Sequence, residues 1–356
     1  MTFASFIIQL LNGLASASSL FLVSAGLSLI FGVTRIVNFA HGSLYMLGLY
    51  GAYSLIEALG RTPLGFWTSV ALAALLVGLA GVLIELLVLR RIYRAPELFQ
   101  LLATFAIVLV IKDITLFTWG PEDLVGPRAP GLSTAVEIMG RRIPQYDLLL
   151  IVVGPAVLGA MLMLLKRTRW GALVRAATQD REMVGALGVD QAKLFTSVFF
   201  VGAVLAGLAG ALQIPREPAN LDLDLSVIAD AFVVTVVGGL GSLPGAFLAA
   251  VLIGVTKAFC IGLGFSKLTL VAEFVIMGVV LVLRDLTAGK RLEQNVQQLD
   301  RLSSIGLLAA GMAHELRNPL MPIKMLVQSA LQREEGLRGK PLAVINEEIT
   351  RLEQSI

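Results

Sequence analysis

Residues Phe31–Tyr53 read FGVTRIVNFAHGSLYMLGLYGAY, and the reading of this stretch decides the fold. An apolar run is interrupted by Gly32, Thr34, Arg35, Asn38, His41 and Gly42, and then resumes. A helix that faces lipid along its whole length does not carry such a cluster. Backbone broken at membrane depth is tolerated only where protein or water covers it. Broken helices of this kind hold the pathways of membrane transporters. The stretch therefore predicts a transport protein.

Composition on either side agrees. Of 356 residues, 56% are hydrophobic and only 15% charged, with a mean hydropathy of +0.83. A soluble domain carries about 25% charged residues. Most of this chain is therefore solvated by lipid. The single cysteine, Cys260, excludes an intramolecular disulfide framework. The net charge of +3 is gathered into clusters, which speaks for membrane topology and not for nucleic-acid binding. The N-terminal apolar segment lacks a basic leader region and is read as a retained first helix.

A helix needs about 20 apolar residues to cross the hydrocarbon core. Runs near that size fall at 5–31, 43–59, 66–89, 98–118, 147–165, 194–214, 245–263 and 268–284, with a shorter piece at 227–237. Lys and Arg in short loops stay cytoplasmic. Arg90, Arg91 and Arg94 form one cluster, Lys166, Arg167 and Arg169 a second, and Arg284, Lys290 and Arg291 a third. They predict an outer N-terminus, with Arg35 inside, 60–65 outside, 90–97 inside, 119–146 outside, 166–193 inside and the C-terminus inside. Three crossings between 215–226 and Arg284 satisfy this order if 227–237 is a short half-helix.

Residues 227–254, VIADAFVVTVVGGLGSLPGAFLAAVLIG, repeat the pattern of the opening stretch. A short apolar piece is followed by a break at Gly238–Gly245 and then by a full-length helix. Paired interrupted segments in two halves of a chain point to a binding pathway. Glu57, Glu85, Lys112, Asp113, Lys257 and Glu273 lie in or beside spans, where ionisable groups are functional by default.

The largest inner insertion, 166–193, reads KRTRWGALVRAATQDREMVGALGVDQAK. Ala172–Val184 is predicted helical, with Gly185 and Gly188 ending it. A short helix beneath a bundle can dock into a partner and receive force from an ATPase. Arg175, Asp180, Glu182, Gly185 and Gly188 are the candidate residues of such a coupling loop.

Three stretches, GVTRIVNFAHGSLYMLGLYGAY, RAATQDREMVGALGVD and VVGGLGSLPGAFLAAVLIG, resemble the permease subunits of branched-chain amino acid ABC importers of the LivH type. The resemblance covers about 1–286. It implies a second related permease, two cytoplasmic ABC ATPases and a periplasmic substrate-binding protein as partners. It also implies a multi-pass location in a bacterial inner membrane. The chain has no G-x-x-x-x-G-K-[ST] loop, so it is expected to bind no cofactor itself, ATP being used by partner subunits. No metal site is expected. A zwitterionic cargo needs donors for its carboxylate and acceptors for its ammonium, and half-helix N-termini supply donors without a fixed charge. The pathway candidates are Asn38, His41 and Ser43 at one break and Gly238, Gly239 and Ser242 at the other.

From Thr287 onward the chain is charged, Leu-rich and without a further span. The segment LSSIGLLAAGMAHELRNPLMPIKMLVQ resembles the phosphoacceptor motif of sensor histidine kinases through His314, Glu315, Leu316, Arg317, Asn318 and Pro319. Phosphoryl transfer needs an in-line nucleophile and a group that takes its proton. His314 is the candidate phosphoacceptor and Glu315 the acid/base. Asn318, one helical turn on, implies by resemblance a role in positioning water for phosphate removal. Leu342, Ile345, Ile349, Leu352 and Ile356 make a coiled-coil seam. The expected division is a permease domain at 1–286, a helical linker at 287–304 and a dimerisation and phosphoacceptor domain at 305–356.

The fold class is thus all-α. A polytopic membrane bundle with two interrupted helices is followed by a cytoplasmic antiparallel hairpin that dimerises as a four-helix bundle. The permease part is not an enzyme. The C-terminal part resembles a protein-histidine kinase, but through Ile356 no ATP-binding domain follows, so phosphate is expected from a kinase acting in trans. A response regulator is a further candidate partner. Two alternatives stay open: a membrane sensor kinase with a permease-like input domain, and a truncated fusion in which only the permease works.

Overall fold

A computed structural model of the chain describes residues 2–93, 95–138, 140–283, 347 and 350. The chain divides into two units, Met1–Leu281 and Val282–Ile356. The expected phosphoacceptor site (His314, Glu315, Asn318), the linker 287–304, the hairpin 305–356 apart from Glu347 and Thr350, and the basic residues Arg94, Arg284, Lys290 and Arg291 lie outside the described residues. Of the second unit, Val282, Leu283, Glu347 and Thr350 are described and are helical.

The first unit is built from α1 (Phe3–Thr34), α2 (Ala40–Leu59) and α3 (Pro63–Ile84). Helix α3 runs through a π turn (Glu85–Leu89) into α4 (Arg90–Ile92), and α5 (Glu97–Trp119) follows. Next come β1 (Ala135–Ile138), β2 (Arg141–Pro144), α6 (Gln145–Arg167), α7 (Arg169–Gln179), α8 (Arg181–Ala186) and α9 (Gln191–Gln213). The unit continues through α10 (Leu223–Gly238), α11 (Leu243–Gly262) and α12 (Ser266–Leu283). Among the described residues, seven helices are long and apolar enough to cross a membrane. Every predicted run, among the described residues, falls in a helix to within one residue of its end, and the predicted half-helix lies in the 16-residue α10.

Two local expectations are corrected. The connection between α5 and α6 carries the antiparallel hairpin β1–β2, with Ala135 opposite Pro144 and Ile138 opposite Arg141. The single helix expected over Ala172–Val184 is two helices. Asp180 leaves the helical conformation between them, and its carboxylate accepts from the amides of Glu182 and Met183, capping α8.

Depth in the bundle follows from side-chain size. The most apolar 18-residue window of α1 is 78% buried, while that of α12 is 6% buried, so α1 is central and α12 peripheral. Helices in lipid associate through close packing of small residues. A Cβ at Gly26 would lie 2.5 Å from the carbonyl oxygen of Gly202, and one at Gly48 would strike the backbone of Gly207. Helices α1 and α11 run antiparallel: Gln9 meets Gly262, Gly13 meets Gly254, and the amide of Gly241 donates to Ser28 Oγ at 3.0 Å. Helices α3 and α9 are likewise antiparallel, pairing Val77 with Gly207 and Gly81 with Ala203.

The opening stretch breaks as predicted, over residues 35–39. Arg35 takes the left-handed conformation (φ 58°), and its amide donates to Phe31 O at 2.8 Å. This closes α1 while the side chain stays exposed. Asn38 Oδ1 accepts from the amide of Ala40 at 3.1 Å and turns the chain into α2. His41 then meets the carbonyl of Val23. Val23 lies about 16 Å back from the end of α1 at 1.5 Å per residue. Helix α2 therefore begins alongside the middle of α1.

At the far end of α3 the buried Glu85 opens the π turn. Its carboxylate accepts from Arg90, from Tyr93 Oη at 3.0 Å and from Thr196 Oγ1 at 2.8 Å, fastening α3–α4 to the start of α9.

Gly48→Val is expected to destabilise the bundle by about 1–3 kcal/mol through overpacking against Gly207. Gly159→Ala, where nothing lies within 4 Å, is expected to be neutral. Thermal unfolding of the two purified variants in detergent checks this, and an unshifted midpoint for Gly48→Val would refute the close contact.

Candidate functional site

One face of α1 is polar at helical spacing. Gln9, Asn12, Ser16 and Ser19, with Leu20 and Val23, line a cavity of about 470 Å³. This falls within the about 300–1,000 Å³ typical of small-molecule sites. Tyr45 comes from α2, Asp147 from the start of α6, and Gln213, Arg216 and Glu217 from the end of α9 and the turn after it. Val227 and Asp230 come from α10, and Gly254, Lys257, Ala258 and Ile261 from α11.

Charges in this cavity are held in pairs, as charges inside a membrane bundle require. Arg216 Nε lies 3.0 Å from Asp147 Oδ1, and its terminal nitrogen donates to Ser16 Oγ at 3.3 Å. Tyr45 Oη donates to Glu217 Oε1 at 2.5 Å. Lys257 Nζ lies 2.7 Å from Asp230 Oδ2. The lining thus carries two cations (Arg216, Lys257) and three carboxylates (Asp147, Glu217, Asp230), a formal charge of −1. Leu20, Val23, Val227, Ala258 and Ile261 supply apolar surface between the charged groups.

This end of the bundle is covered by the connection from α5 to α6. Leu124 and Ala219 exchange backbone hydrogen bonds of 3.0 and 2.9 Å, and Tyr146 Oη donates to Leu212 O at 2.6 Å. These contacts hold the segment bearing Arg216 and Glu217 in place.

A second, smaller cavity of about 230 Å³ lies toward the end that bears α7. Ser28, Leu29 and Gly32 of α1, Val174, Arg175 and Thr178 of α7, and Gly241 and Leu243 at the second break line it, among others. Along α1 the first cavity ends at Val23 and the second begins at Ser28. The intervening turn is where Gly26 packs on Gly202 and on the ring of His41. Protein therefore fills the space between the two cavities.

Of the sequence-predicted pathway residues, the structure places His41 at this closed waist, against Gly26. His41 is fully buried, and its Nε2 donates to Val23 O at 3.0 Å, which leaves Nδ1 as an acceptor with no partner among the described residues. Asn38 Nδ2 and Ser43 Oγ are also buried without a partner there. Ser242 caps α11, accepting from the amide of Gly245 at 3.1 Å. Gly239 has φ 97°, and a Cβ at Gly238 would lie 2.5 Å from Ala246 N. The two breaks meet where Gly32 packs on Gly241, whereas none of the six residues named above lines the larger cavity.

In the loop at 166–193, Arg175 lines the smaller cavity, Asp180 caps α8 and Gly188 takes φ 84°. Glu182 is exposed, and Gly185 packs beside Gln191, whose amide donates to Arg181 O at 2.6 Å. The amide of Lys193 holds the Asp190 carboxyl below its ordinary range, as befits the cap of α9. Met183 and Leu187 are exposed apolar residues on this loop. Lys112 pairs with Asp222 at 3.0 Å across the bundle and not with its neighbour Asp113.

Sequence reasoning missed Tyr45, Asp147, Arg216, Glu217 and Asp230. The periodic polar residues of α1 are the signal that could have found the cavity. Its other walls come from helix ends that only folding brings together. Among the described residues no group of three His, Cys, Asp or Glu side chains is arranged to hold a metal.

Arg216→Met and Asp147→Asn are expected to be coupled by about 0.5–3 kcal/mol in a double-mutant cycle. Thermal unfolding of the two single variants and the double variant measures this. Additive effects would show that the pair contributes nothing.

A family model described as "Branched-chain amino acid transport system / permease component" matches residues 9–283. A second, "His Kinase A (phospho-acceptor) domain", matches residues 304–356. The high-affinity branched-chain amino acid transport system permease protein BraD of Pseudomonas aeruginosa is 28% identical over 261 residues, covering 70% of this chain and 85% of the relative. The permease protein LivH of Escherichia coli K12 is 26% identical, with 72% of this chain and 86% of the relative covered. LivM of Salmonella typhimurium is 26% identical, with 66% and 60% covered. No solved structure matches significantly.

Proposed function

We propose a function that starts from kinship: the chain belongs to the family of permease components of branched-chain amino acid transport systems, and it carries a His Kinase A phospho-acceptor domain behind the permease. On this reading it is one membrane-spanning subunit of an ABC importer in a bacterial inner membrane. It passes branched-chain amino acids or related small molecules inward. Its partners are a second related permease, two cytoplasmic ATPases and a periplasmic binding protein.

The observation that carries this reading is the charged cavity inside an otherwise apolar bundle. Arg216 offers donors to a carboxylate, Glu217 and Asp230 offer acceptors to an ammonium, and Val23, Val227 and Ile261 offer an apolar wall to a branched side chain. Arg216 and Asp230 already pair with charged protein groups and Glu217 with the neutral Tyr45 hydroxyl. A zwitterion adds no net charge to the cavity.

The Lys/Arg rule puts the end bearing α7, α8, Arg90 and Arg91 in the cytoplasm and the larger cavity toward the outside. The C-terminus is then cytoplasmic. Cargo released from a binding protein enters the larger cavity and must pass the closed waist at Gly26, His41 and Gly202. The Asn38, His41 and Ser43 groups, without a partner among the described residues, await it there, and Gly238, Gly239 and Ser242 lie beyond. Thr178 of α7 lies beside both Gly32 and Gly241. Force applied to the α7–α8 loop by an ATPase therefore reaches the inner side of the waist directly.

The His Kinase A match favours a second role, in signalling. His314 accepts a phosphoryl group, Glu315 takes its proton and Asn318 positions water for its removal. A response regulator would receive the phosphate, and the helices would pair with those of a second copy.

In proteoliposomes holding the assembled importer, Arg216→Ala is expected to cut leucine uptake about tenfold or more, the equivalent of 1.4 kcal/mol. Undiminished uptake would overturn the assignment of the cavity. Residues 1–356 given labelled ATP alone are expected to leave His314 unlabelled. An added histidine-kinase catalytic domain is expected to label it, and His314→Gln to abolish the label. Autophosphorylation without that addition would refute transfer in trans.

A further inference from the structure

Lys257 of α11 is shared by carboxylates from two other helices. Asp230 Oδ2 of α10 lies 2.7 Å from its Nζ and Glu273 Oε1 of α12 lies 2.8 Å from it. The two carboxylates differ in place. Asp230 lines the larger cavity, and its side chain is 23% exposed. Glu273 is not among the residues that line the cavity, and its side chain is 1% exposed. One cation between two anions leaves the cluster with a formal charge of −1, so it favours the arrival of a further cation from the cavity side.

Helix α12 is held to the bundle by a narrow seam. Ile276, Met277 and Val280 pack against the core, while Phe274, Val275, Val279 and Leu283 are exposed. Glu273 stands on the same seam at helical spacing and is the one buried charged residue of α12. The chain continues from Leu283 toward the phospho-acceptor domain, which begins 21 residues later at position 304.

The geometry points to a cargo-sensing switch at Asp230, Lys257 and Glu273: the ammonium of a cargo takes Asp230, Lys257 then pairs with Glu273 alone, and occupancy of the cavity is thereby reported to α12. The inference rests on the permease reading above and adds regulation to it. The exchange conserves ion pairs, since the incoming ammonium replaces Lys257 on Asp230. Glu273 is buried too deeply to lose its partner, because a carboxylate stranded in the bundle is strongly disfavoured. It therefore keeps hold of Lys257, and with its rival removed α12 sits closer to α11. A ligand shifts a conformational equilibrium only by its differential affinity for the two states, and here the difference is the sharing or the undivided use of one lysine. Linkage makes the effect reciprocal: whatever fixes α12 changes cargo affinity by the same factor. Helix α12 is continuous in sequence with the segment leading to His314, so the same switch gives the signalling domain a signal to carry.

The test places spin labels at Leu79→Cys and Val279→Cys in a Cys260→Ser background, using the full chain assembled with its partners in lipid nanodiscs. L-leucine is the probe, with succinate as the anionic control. The expected result is a leucine-dependent shift in the distance distribution that succinate does not produce. Asp230→Asn is expected to lose both the shift and most of the leucine uptake. Glu273→Gln leaves Lys257 on Asp230 and is expected to lose the shift and to raise the leucine concentration for half-maximal uptake about threefold, with the maximal rate kept; this is less than the 1.4 kcal/mol of a tenfold change. Glu273→Asp, which keeps the charge, is expected to retain a shift. A shift that survives Glu273→Gln, or a wild-type protein that takes up leucine without any shift, overturns the switch and leaves the permease reading intact. A wild-type assembly that takes up no amino acid overturns both.

Discussion

Where Gly26 meets Gly202, and Gly48 meets Gly207, helices touch through their backbones because no side chain stands between them. In lipid there is no hydrophobic force to draw helices together, so van der Waals contact and shared polar groups must do it. The central place of α1 follows from this contact, as does the position of His41, whose ring packs on Gly26. With larger residues at these points α1 and α9 would stand apart. The waist between the two cavities would then have no wall.

The bundle treats its polar groups in two ways. In the larger cavity every charge has a partner within the protein: Arg216 has Asp147, Tyr45 caps Glu217, and Lys257 serves two carboxylates. At the waist, Asn38, His41 and Ser43 each bury a polar atom that has no partner among the described residues. Such an atom costs about 1–3 kcal/mol. These costs are gathered beside the chain break between α1 and α2, whereas the charges of the larger cavity all have partners.

Much of the membrane unit was legible in the sequence because lipid imposes a length and an apolarity on each span. The eight apolar runs and the short piece at 227–237 all became helices, and both breaks occur where Gly, Pro and Asn interrupt the pattern. The hairpin at 135–144 was not legible, since four-residue strands carry too little periodicity to stand out beside long helices. The division of the helix over 172–184 at Asp180 was hidden by good helical propensity on both sides. The larger cavity was the main omission. Its charged residues are far apart in sequence, and Arg216 and Glu217 look like an ordinary loop after a span until Asp147 and Tyr45 are brought beside them. By contrast, the family resemblance of the membrane part and the histidine motif at 314–319 rest on short local stretches, and both agree with the matched families.

The π turn at Glu85–Leu89 has a bearing on how this chain tolerates insertion and deletion. A π turn is an α-helix carrying one residue too many, and each residue of an α-helix advances about 100° around the axis. The wide turn absorbs that extra residue, so deleting one of residues 86–89 would restore an uninterrupted α-helix and leave Arg90 and Tyr93 in nearly their present phase. Glu85 and Arg90, five residues apart now, would become an ordinary i,i+4 pair on one face. Winding the same five residues into regular α-helix without a deletion would instead turn everything beyond them by about one residue's rotation and draw Arg90 and Tyr93 away from Glu85 and Thr196. The π turn is thus a phase absorber: it lets α3 carry a residue too many and still present Arg90 and Tyr93 to Glu85 where α9 begins.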